Sequence, residues 1–264
     1  MDSKTRYRIS LVVPCYNEAH RLNTAIFRQF LEENGTTRLL FVDDGSRDET
    51  FQVLEELCRG HEQQGQVLRC GRNRGKAEAV RLGVMTALHH YEQDIVGYWD
   101  ADLATPLDAV DDFLCILDRH PEVEMIFGAR VKLLGRQVER RAVRHYLGRI
   151  FATTVSIALG LAIYDTQCGA KLFRATPELR RAFAEPFLSK WVFDVEIIAR
   201  FLRLHGGDRK RMERAIYEFP LQAWEDVRGS KVRPRDFFTA FWDVLRIYRK
   251  YLRWTEAKGL LHRS

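Results

Sequence analysis

The chain has 264 residues, of which 46 % are hydrophobic and 11 % aromatic. That is enough for one large cored domain, with or without an appendage, and too apolar for a disordered chain. The net charge of +6 points to an anionic partner: nucleic acid, a nucleotide or an acidic lipid surface.

ISLVVP (9–14) reads as a strand and residues 19–33 as a helix. RLLFVD (38–43) is a strand. Ser46 and Glu49 have the S-x-x-E spacing of a capping box, opening a helix to about Gly60. QVLRC (66–70) is a strand, 76–89 a helix, and IVGYWD (95–100) a strand. Thr105-Pro106 fits the N-cap and first position of a helix to Arg119, and EMIFGA (124–129) is the fifth strand. Beyond it, 140–164 reads as a helix, KLFR (171–174) as a short strand, Thr176-Pro177 as a helix start, 192–204 as a helix, RAIYEFP (214–220) as a strand and 237–254 as a helix. Strands alternating with helices predict an α/β fold with a mostly parallel sheet flanked by helices. The expected organisation is one domain over residues 1–235 and a C-terminal amphipathic helical extension over 236–264.

The basic excess is concentrated. Residues 130–149 hold seven Lys or Arg against one acid, Glu139, and residues 228–254 hold eight against Asp236 and Asp243. These are either two solvated faces or parts of one anion-binding region. The five cysteines (15, 58, 70, 115, 168) form no C-x-x-C pair, which fits thiols in a reducing compartment. There is no N-terminal apolar signal. The longest uncharged stretch, Ile150 to Tyr164, has 15 residues, short of the ~20 needed to span a bilayer. A cytoplasmic protein, soluble or peripheral, is expected.

In open parallel sheets ligands sit beyond the carboxyl ends of the strands. Those ends here carry Pro14-Cys15-Tyr16-Asn17-Glu18, Asp43-Asp44-Gly45 and Asp100-Ala101-Asp102. In the last, period-two alternation puts both carboxylates on one side. Two hard anionic oxygen donors suit Mg²⁺ or Mn²⁺ with positions left for substrate phosphates. There is no G-x-G-x-x-G, and CGRNRGKAEA (70–79) fails as a P-loop because Ala77 stands where Ser or Thr is needed. The Gly75-Lys76 step still opens a helix, either facing a phosphate or ribose or as a plain loop-to-helix junction. A nucleic-acid-binding module would explain the basic stretches but not the acidic rim.

VVPCYNEAHRL (12–22), FVDDGSRDET (41–50), NRGKAEAV (73–80) and WDADLATP (99–106) resemble the inverting family 2 nucleotide-sugar glycosyltransferases. FGAR (127–130), DTQCGAKLFR (165–174), WVFDVEI (191–197) and GSKV (229–232) narrow the resemblance to the polyprenyl-phosphate group, nearest the dolichyl-phosphate β-glucosyltransferases. It covers about residues 7 to 235. It implies the GT-A (Rossmann-like) fold and metal-dependent, inverting transfer of a hexose, glucose from UDP-glucose, to a polyprenyl (dolichyl or undecaprenyl) phosphate. A soluble or glycan acceptor is the alternative.

The resemblance implies that Pro14, Asn17, Glu18, Asp43, Asp44, Lys76, Asp100, Ala101, Asp102 and Asp194 bind the nucleotide-sugar. Asp100 and Asp102 are expected to hold Mg²⁺ or Mn²⁺ on the diphosphate. Ala104 stands where mannosyl-phosphate relatives place a further Gln ligand. Arg130, Arg144 and Lys231 match the acceptor-phosphate positions, where guanidinium forks bind phosphate bidentately. Asp165 is expected near the sugar C1 and the acceptor as the catalytic residue, with Asp194 and Glu196 as alternatives. Cys168 reads as a packed small residue.

At 100° per residue, Phe237, Phe241, Val244, Leu245, Tyr248 and Leu252 share one face of the last helix. Arg246, Arg249, Lys250 and Arg253 lie opposite, flanked by Trp242 and Trp254. Such a helix suits an anionic membrane surface or packs its apolar face on the domain. No nucleic acid and no protein partner is expected. The anticipated location is peripheral, on the cytoplasmic face of a membrane.

Overall fold

The computed structural model describes residues 7–131, 137–138, 142–224 and 234–253. The apolar run of β1 (Ile9–Cys15) is buried on both faces, as a central parallel strand must be. β2 (Thr37–Asp43) and β4 (Ile95–Trp99) flank it, and β3 (Gly65–Arg69) forms the edge beyond β2. Next to β4 comes β7 (Ala170–Arg174), then β5 (Met125–Ala129) and β8 (Ile216–Pro220), completing the order β3-β2-β1-β4-β7-β5-β8. All pairings are parallel except those of β7, which runs antiparallel to both β4 and β5. A separate two-residue parallel pair joins β6 (Gln137–Val138) to β9 (Ala223–Trp224).

Helices cover both faces. α1 (Thr24–Glu33), α2 (Thr50–Cys58) and α4 (Ala109–Arg119) pack around Leu11, Phe27, Phe41, Trp99 and Phe113 on one side. α3 (Lys76–His90), α5 (Ala142–Leu159), α6 (Pro177–Ala184), α7 (Phe193–Leu204) and α9 (Pro234–Ile247) pack around Val12, Tyr98, Phe173 and Phe183 on the other. α8 (Arg209–Ala215) leads into β8. α9 belongs to this second core. Ala240, Val244 and Ile247 are buried in it, and a π-turn over Tyr248–Leu252 lets Tyr251 and Leu252 both face inward. The buried stripe is therefore rotated from the expected one: Phe241, Leu245 and Tyr248 are half-buried at its edge, while Phe237 and Trp254 lie outside the residues whose side chains are described.

Several expected starts moved for identifiable reasons. Ser46 is not an N-cap, because its hydroxyl accepts from the Asn17 amide (3.0 Å) across two loops, and α2 begins four residues later. α4 begins at Ala109, because the Thr105 carbonyl is taken by the Trp99 indole (2.8 Å). Thr176 does cap α6, accepting from the Leu179 amide, with Pro177 at the first position. α5 ends at Leu159 rather than 164, and α8 takes up the start of the segment read as strand 214–220.

Candidate active site

The ends of β1, β2 and β4 meet at one rim, beside the N-terminus of α3. There a cleft of about 570 Å³ is lined by Pro14, Cys15, Tyr16, Glu18, Arg21, Asp44, Asn73, Gly75, Lys76, Ala79, Asp100, Ala101, Asp102, Trp191 and Thr239. Loop-to-loop hydrogen bonds hold its upper wall. Asn17 Oδ1 accepts from the Arg47 amide (2.9 Å), and the Glu18 amide donates to Thr50 Oγ1 (2.8 Å). Asp43, with 0 % exposure, accepts from the Ser46 amide (2.9 Å). Asp44 accepts from the amides of Arg74 (2.9 Å) and Gly75 (2.7 Å), so it holds the loop that leads into α3. Gly45 (φ +67°) lets these loops touch, since a Cβ there would stand 2.5 Å from the Arg72 carbonyl carbon.

Asp100 and Asp102 lie just past β4, in a turn closed by the Leu103 amide donating to the Asp100 carbonyl (3.2 Å). Their shared orientation thus comes from a turn rather than from strand alternation. Leu103 is left-handed at φ 52°, an unusual conformation for a branched side chain. Asp100 Oδ1 sits 2.5 Å from Lys76 Nζ, and Asp102 Oδ2 sits 4.0 Å from Arg21, which also reaches Glu18 at 3.4 Å. Burial, and then the charge of Asp100, push the Asp102 carboxyl above the usual carboxylate range. Burial pulls the Lys76 ammonium down, but Asp100 and Asp194 together outweigh it and leave its pKa raised. Two crowded carboxylates opening on a cleft fit a hard divalent cation whose other ligands are water and phosphate oxygens. No cluster of three or more His, Cys, Asp or Glu that could hold a metal occurs among the described residues; Asp100 and Asp102 are the carboxylates there that would hold one.

The segment entering β7 backs this wall. Gly169 lies against Asp100, with a Cβ placed on it only 1.9 Å from Asp100 Oδ2, and its carbonyl accepts the Asp100 amide (3.0 Å). Asp165 holds Arg130 bidentately, through Nε (2.6 Å) and Nη2 (2.8 Å). Burial opposes the guanidinium's charge, but Asp165 more than restores it, raising the Arg130 pKa. Glu218 of β8 fixes the turn that carries Asp165, accepting the amides of Tyr164 (2.8 Å) and Asp165 (2.8 Å). Burial raises the Glu218 pKa, partly offset by those amides. Lys171, 1 % exposed, pairs with Asp194 (2.7 Å) and donates to the carbonyls of Thr166 (2.9 Å) and Cys168 (2.5 Å); Asp194 also accepts from the Tyr98 hydroxyl. Glu196 is fully buried, with Arg200 (2.7 Å), the Tyr251 hydroxyl (2.8 Å) and the Leu188 amide (2.7 Å).

Residues 10–178 match the family described as glycosyl transferase family 2. The chain belongs to that family. Among curated relatives, the dolichyl-phosphate beta-glucosyltransferase of Mus musculus is 32 % identical over 267 residues, covering 95 % of this chain and 75 % of the relative. That of Saccharomyces cerevisiae is 31 % identical over 248 residues, covering 85 % and 69 %. The glucosyl-3-phosphoglycerate synthase of Mycobacterium tuberculosis, solved with Mn²⁺, UDP and glucosyl-3-phosphoglycerate, superposes with a TM-score of 0.63 at 18 % identity, covering 92 % of this chain and 79 % of that one. That likeness establishes the GT-A fold.

Measured against the family-derived expectations, Pro14, Glu18, Asp44, Lys76, Asp100, Ala101 and Asp102 share the cleft. Asn17 and Asp43 do not reach its wall and brace the loops behind it, because their carbonyl and carboxylate oxygens accept local amides. Asp194 stands one layer deeper, and Glu196 belongs to a buried network on α7. Arg130 and Asp165 form a single unit. The side chains of Arg144 and Lys231 lie outside the described residues. Sequence reading missed Arg21, Asn73, Trp191 and Thr239 on the wall, and Lys171 and Glu218 behind it. A lysine inside the apolar run AKLFR was the available sign for Lys171, since an unpaired ammonium is not buried.

Proposed function

We propose that this family 2 enzyme transfers glucose from UDP-glucose, with inversion, to the phosphate of a polyprenyl phosphate of the dolichyl or undecaprenyl kind. The observation that carries the reading is the carboxylate pair Asp100 and Asp102 on the cleft wall, beside Lys76 and on the same rim as the Arg130–Asp165 pair. A Mg²⁺ or Mn²⁺ ion held there supplies charge neutralisation of the leaving diphosphate. Pro14, Glu18, Asp44 and Lys76 line the space for the nucleotide. Arg130, fixed by Asp165, offers a cationic fork for the acceptor phosphate. A phosphate monoester is largely dianionic at neutral pH, so it needs orientation and a cation more than a general base, which suits an aspartate already committed to an arginine. The names of the relatives support glucose and a lipid phosphate, and the neighbour solved with Mn²⁺ and UDP supports the metal and nucleotide.

A peripheral place on the cytoplasmic face of a membrane belongs to the same proposal. No helix among the described residues is long and apolar enough to cross a membrane. α5 and α9 leave Ile150 (57 %), Ile157 (78 %) and Trp242 (62 %) exposed, and Arg246, Arg249, Lys250 and Arg253 are exposed on the same C-terminal segment as Trp242. Apolar anchors with adjacent cations suit an anionic headgroup layer. All five cysteines are free, which fits a reducing compartment. The deciding experiment supplies radiolabelled UDP-glucose with polyprenyl phosphate in detergent, and in parallel with soluble phosphorylated and glycan acceptors. Label passing into organic solvent only with the lipid supports the reading. Label on soluble acceptors alone assigns the site to a soluble substrate.

A further inference from the structure

Each carboxylate of the proposed metal pair already faces a basic side chain. Lys76 Nζ is 2.5 Å from Asp100 Oδ1, and Arg21 is 4.0 Å from Asp102 Oδ2. Both bases line the cleft, with side-chain exposures of 40 % and 35 %. Lys76 is the first residue of α3, with a flexible four-carbon stem, and Arg21 follows the β1 loop. Two single positive charges therefore face the two carboxylates that a divalent cation would use, Arg21 being shared with Glu18 at 3.4 Å.

We propose that Lys76 and Arg21 are a built-in counter-cation pair that keeps the acidic pair closed to a lone divalent ion and yields it to one arriving with a diphosphate. The reasoning is electrostatic and rests on the metal-dependent reading above. A divalent ion alone must break the Lys76–Asp100 pair and the longer Arg21–Asp102 contact, leaving Arg21 with Glu18 (3.4 Å), so the charge it gains against the carboxylates is offset by the pairs it breaks. A diphosphate brings its own acceptor oxygens. Lys76 and Arg21 can turn from Asp100 and Asp102 to those oxygens, keeping charge-assisted hydrogen bonds while the metal takes their place. Metal and nucleotide then bind with strong positive coupling, and neither binds well alone. The same pair would also make nucleotide release and metal release one event, because loss of the diphosphate returns both cations to the carboxylates.

The test measures Mn²⁺ alone, without nucleotide, by electron paramagnetic resonance, and UDP with and without Mn²⁺ by calorimetry. Wild type is expected to bind free Mn²⁺ weakly and to gain on adding UDP. Lys76→Met should tighten free Mn²⁺ roughly tenfold and shrink the Mn²⁺–UDP coupling by a similar factor, within the range measured for linked sites. Lys76→Arg, which keeps the charge, should keep free Mn²⁺ affinity within twofold of wild type. Arg21→Met should move free Mn²⁺ affinity in the same direction by less, its contact being longer; it also serves if Lys76→Met does not fold. Free Mn²⁺ affinity within twofold of wild type in both Met variants overturns the proposal. If wild type binds no Mn²⁺ even with UDP present, the metal reading of the site itself fails, a distinguishable result.

Discussion

Replacing Gly169 with alanine tests how the D-x-D turn is placed. The new Cβ would lie 1.9 Å from Asp100 Oδ2, 2.1 Å from Cγ and 2.6 Å from Oδ1, about 1.5 Å short of ordinary van der Waals contact. The Asp100 backbone is tied to the Gly169 carbonyl through its amide at 3.0 Å, so it is the carboxylate, on a side chain 34 % exposed, that must swing away and give up its 2.5 Å contact with Lys76. Overpacking of this kind costs about 2 kcal/mol, which lowers Tm by about 5 °C in a domain of this size. A displacement near 1 Å at a reacting group costs about 100-fold in rate. Gly169→Ala is therefore expected to lose about two orders of magnitude in glycosyl transfer and to weaken Mn²⁺–UDP binding measured by calorimetry. Gly71→Ala is the control, on a nearby loop where a Cβ would meet nothing within 4 Å, and it should leave both unchanged. A Gly169→Ala protein that melts lower yet keeps transfer and Mn²⁺–UDP affinity within twofold would refute the claim that Gly169 sets the position of a functional Asp100.

Asp165→Asn removes the charge that fixes Arg130 but leaves the donor cleft intact. Turnover should fall about 100-fold while calorimetric UDP–Mn²⁺ affinity stays within twofold; full turnover would show that Arg130 needs no such partner. Glu218 is raised by burial, so the folded chain holds its proton more tightly than the unfolded chain, and this group's contribution to stability falls as pH rises from its ordinary value near 4.5 through the raised one. The urea midpoint of wild type minus that of Glu218→Gln should therefore decrease as pH rises across the weakly acidic range; a difference that is flat or increases contradicts the assignment. Trp242→Ala with Ile157→Ser should reduce recovery with anionic liposomes in flotation and leave transfer to a short, water-soluble polyprenyl phosphate analogue unchanged. Equal flotation would remove α5 and α9 from the membrane reading.

The central strands were readable because burial on both faces writes a continuous apolar run, as in ISLVVPC and IVGYW. The direction of β7 was not. AKLFR is apolar in the same way whichever way it runs, and its antiparallel placement between β4 and β5 is a tertiary choice. The helix starts at Ser46 and Thr105 were misread because tertiary partners intervened: Asn17 claimed the Ser46 hydroxyl, and at Thr105 the carbonyl went to the Trp99 indole while the hydroxyl meets the Cys168 thiol. At the site, the acidic clusters showed in the sequence because charge at a strand exit is conspicuous. What sequence did not disclose was which acids face the cleft. Asp43 and Asp44 are adjacent and alike, yet one turns inward to the Ser46 amide and the other holds the loop entering α3 at the cleft wall. Arg21, Trp191 and Thr239 arrive from separate elements and carry no local pattern that marks them.

The most direct test of the account is anomalous scattering from a crystal of the enzyme grown with Mn²⁺ and UDP. The account predicts a Mn²⁺ peak about 2.2 Å from oxygens of Asp100 and Asp102 and of the UDP diphosphate. Manganese and diphosphate located away from these two side chains, in a crystal that binds both, would contradict it.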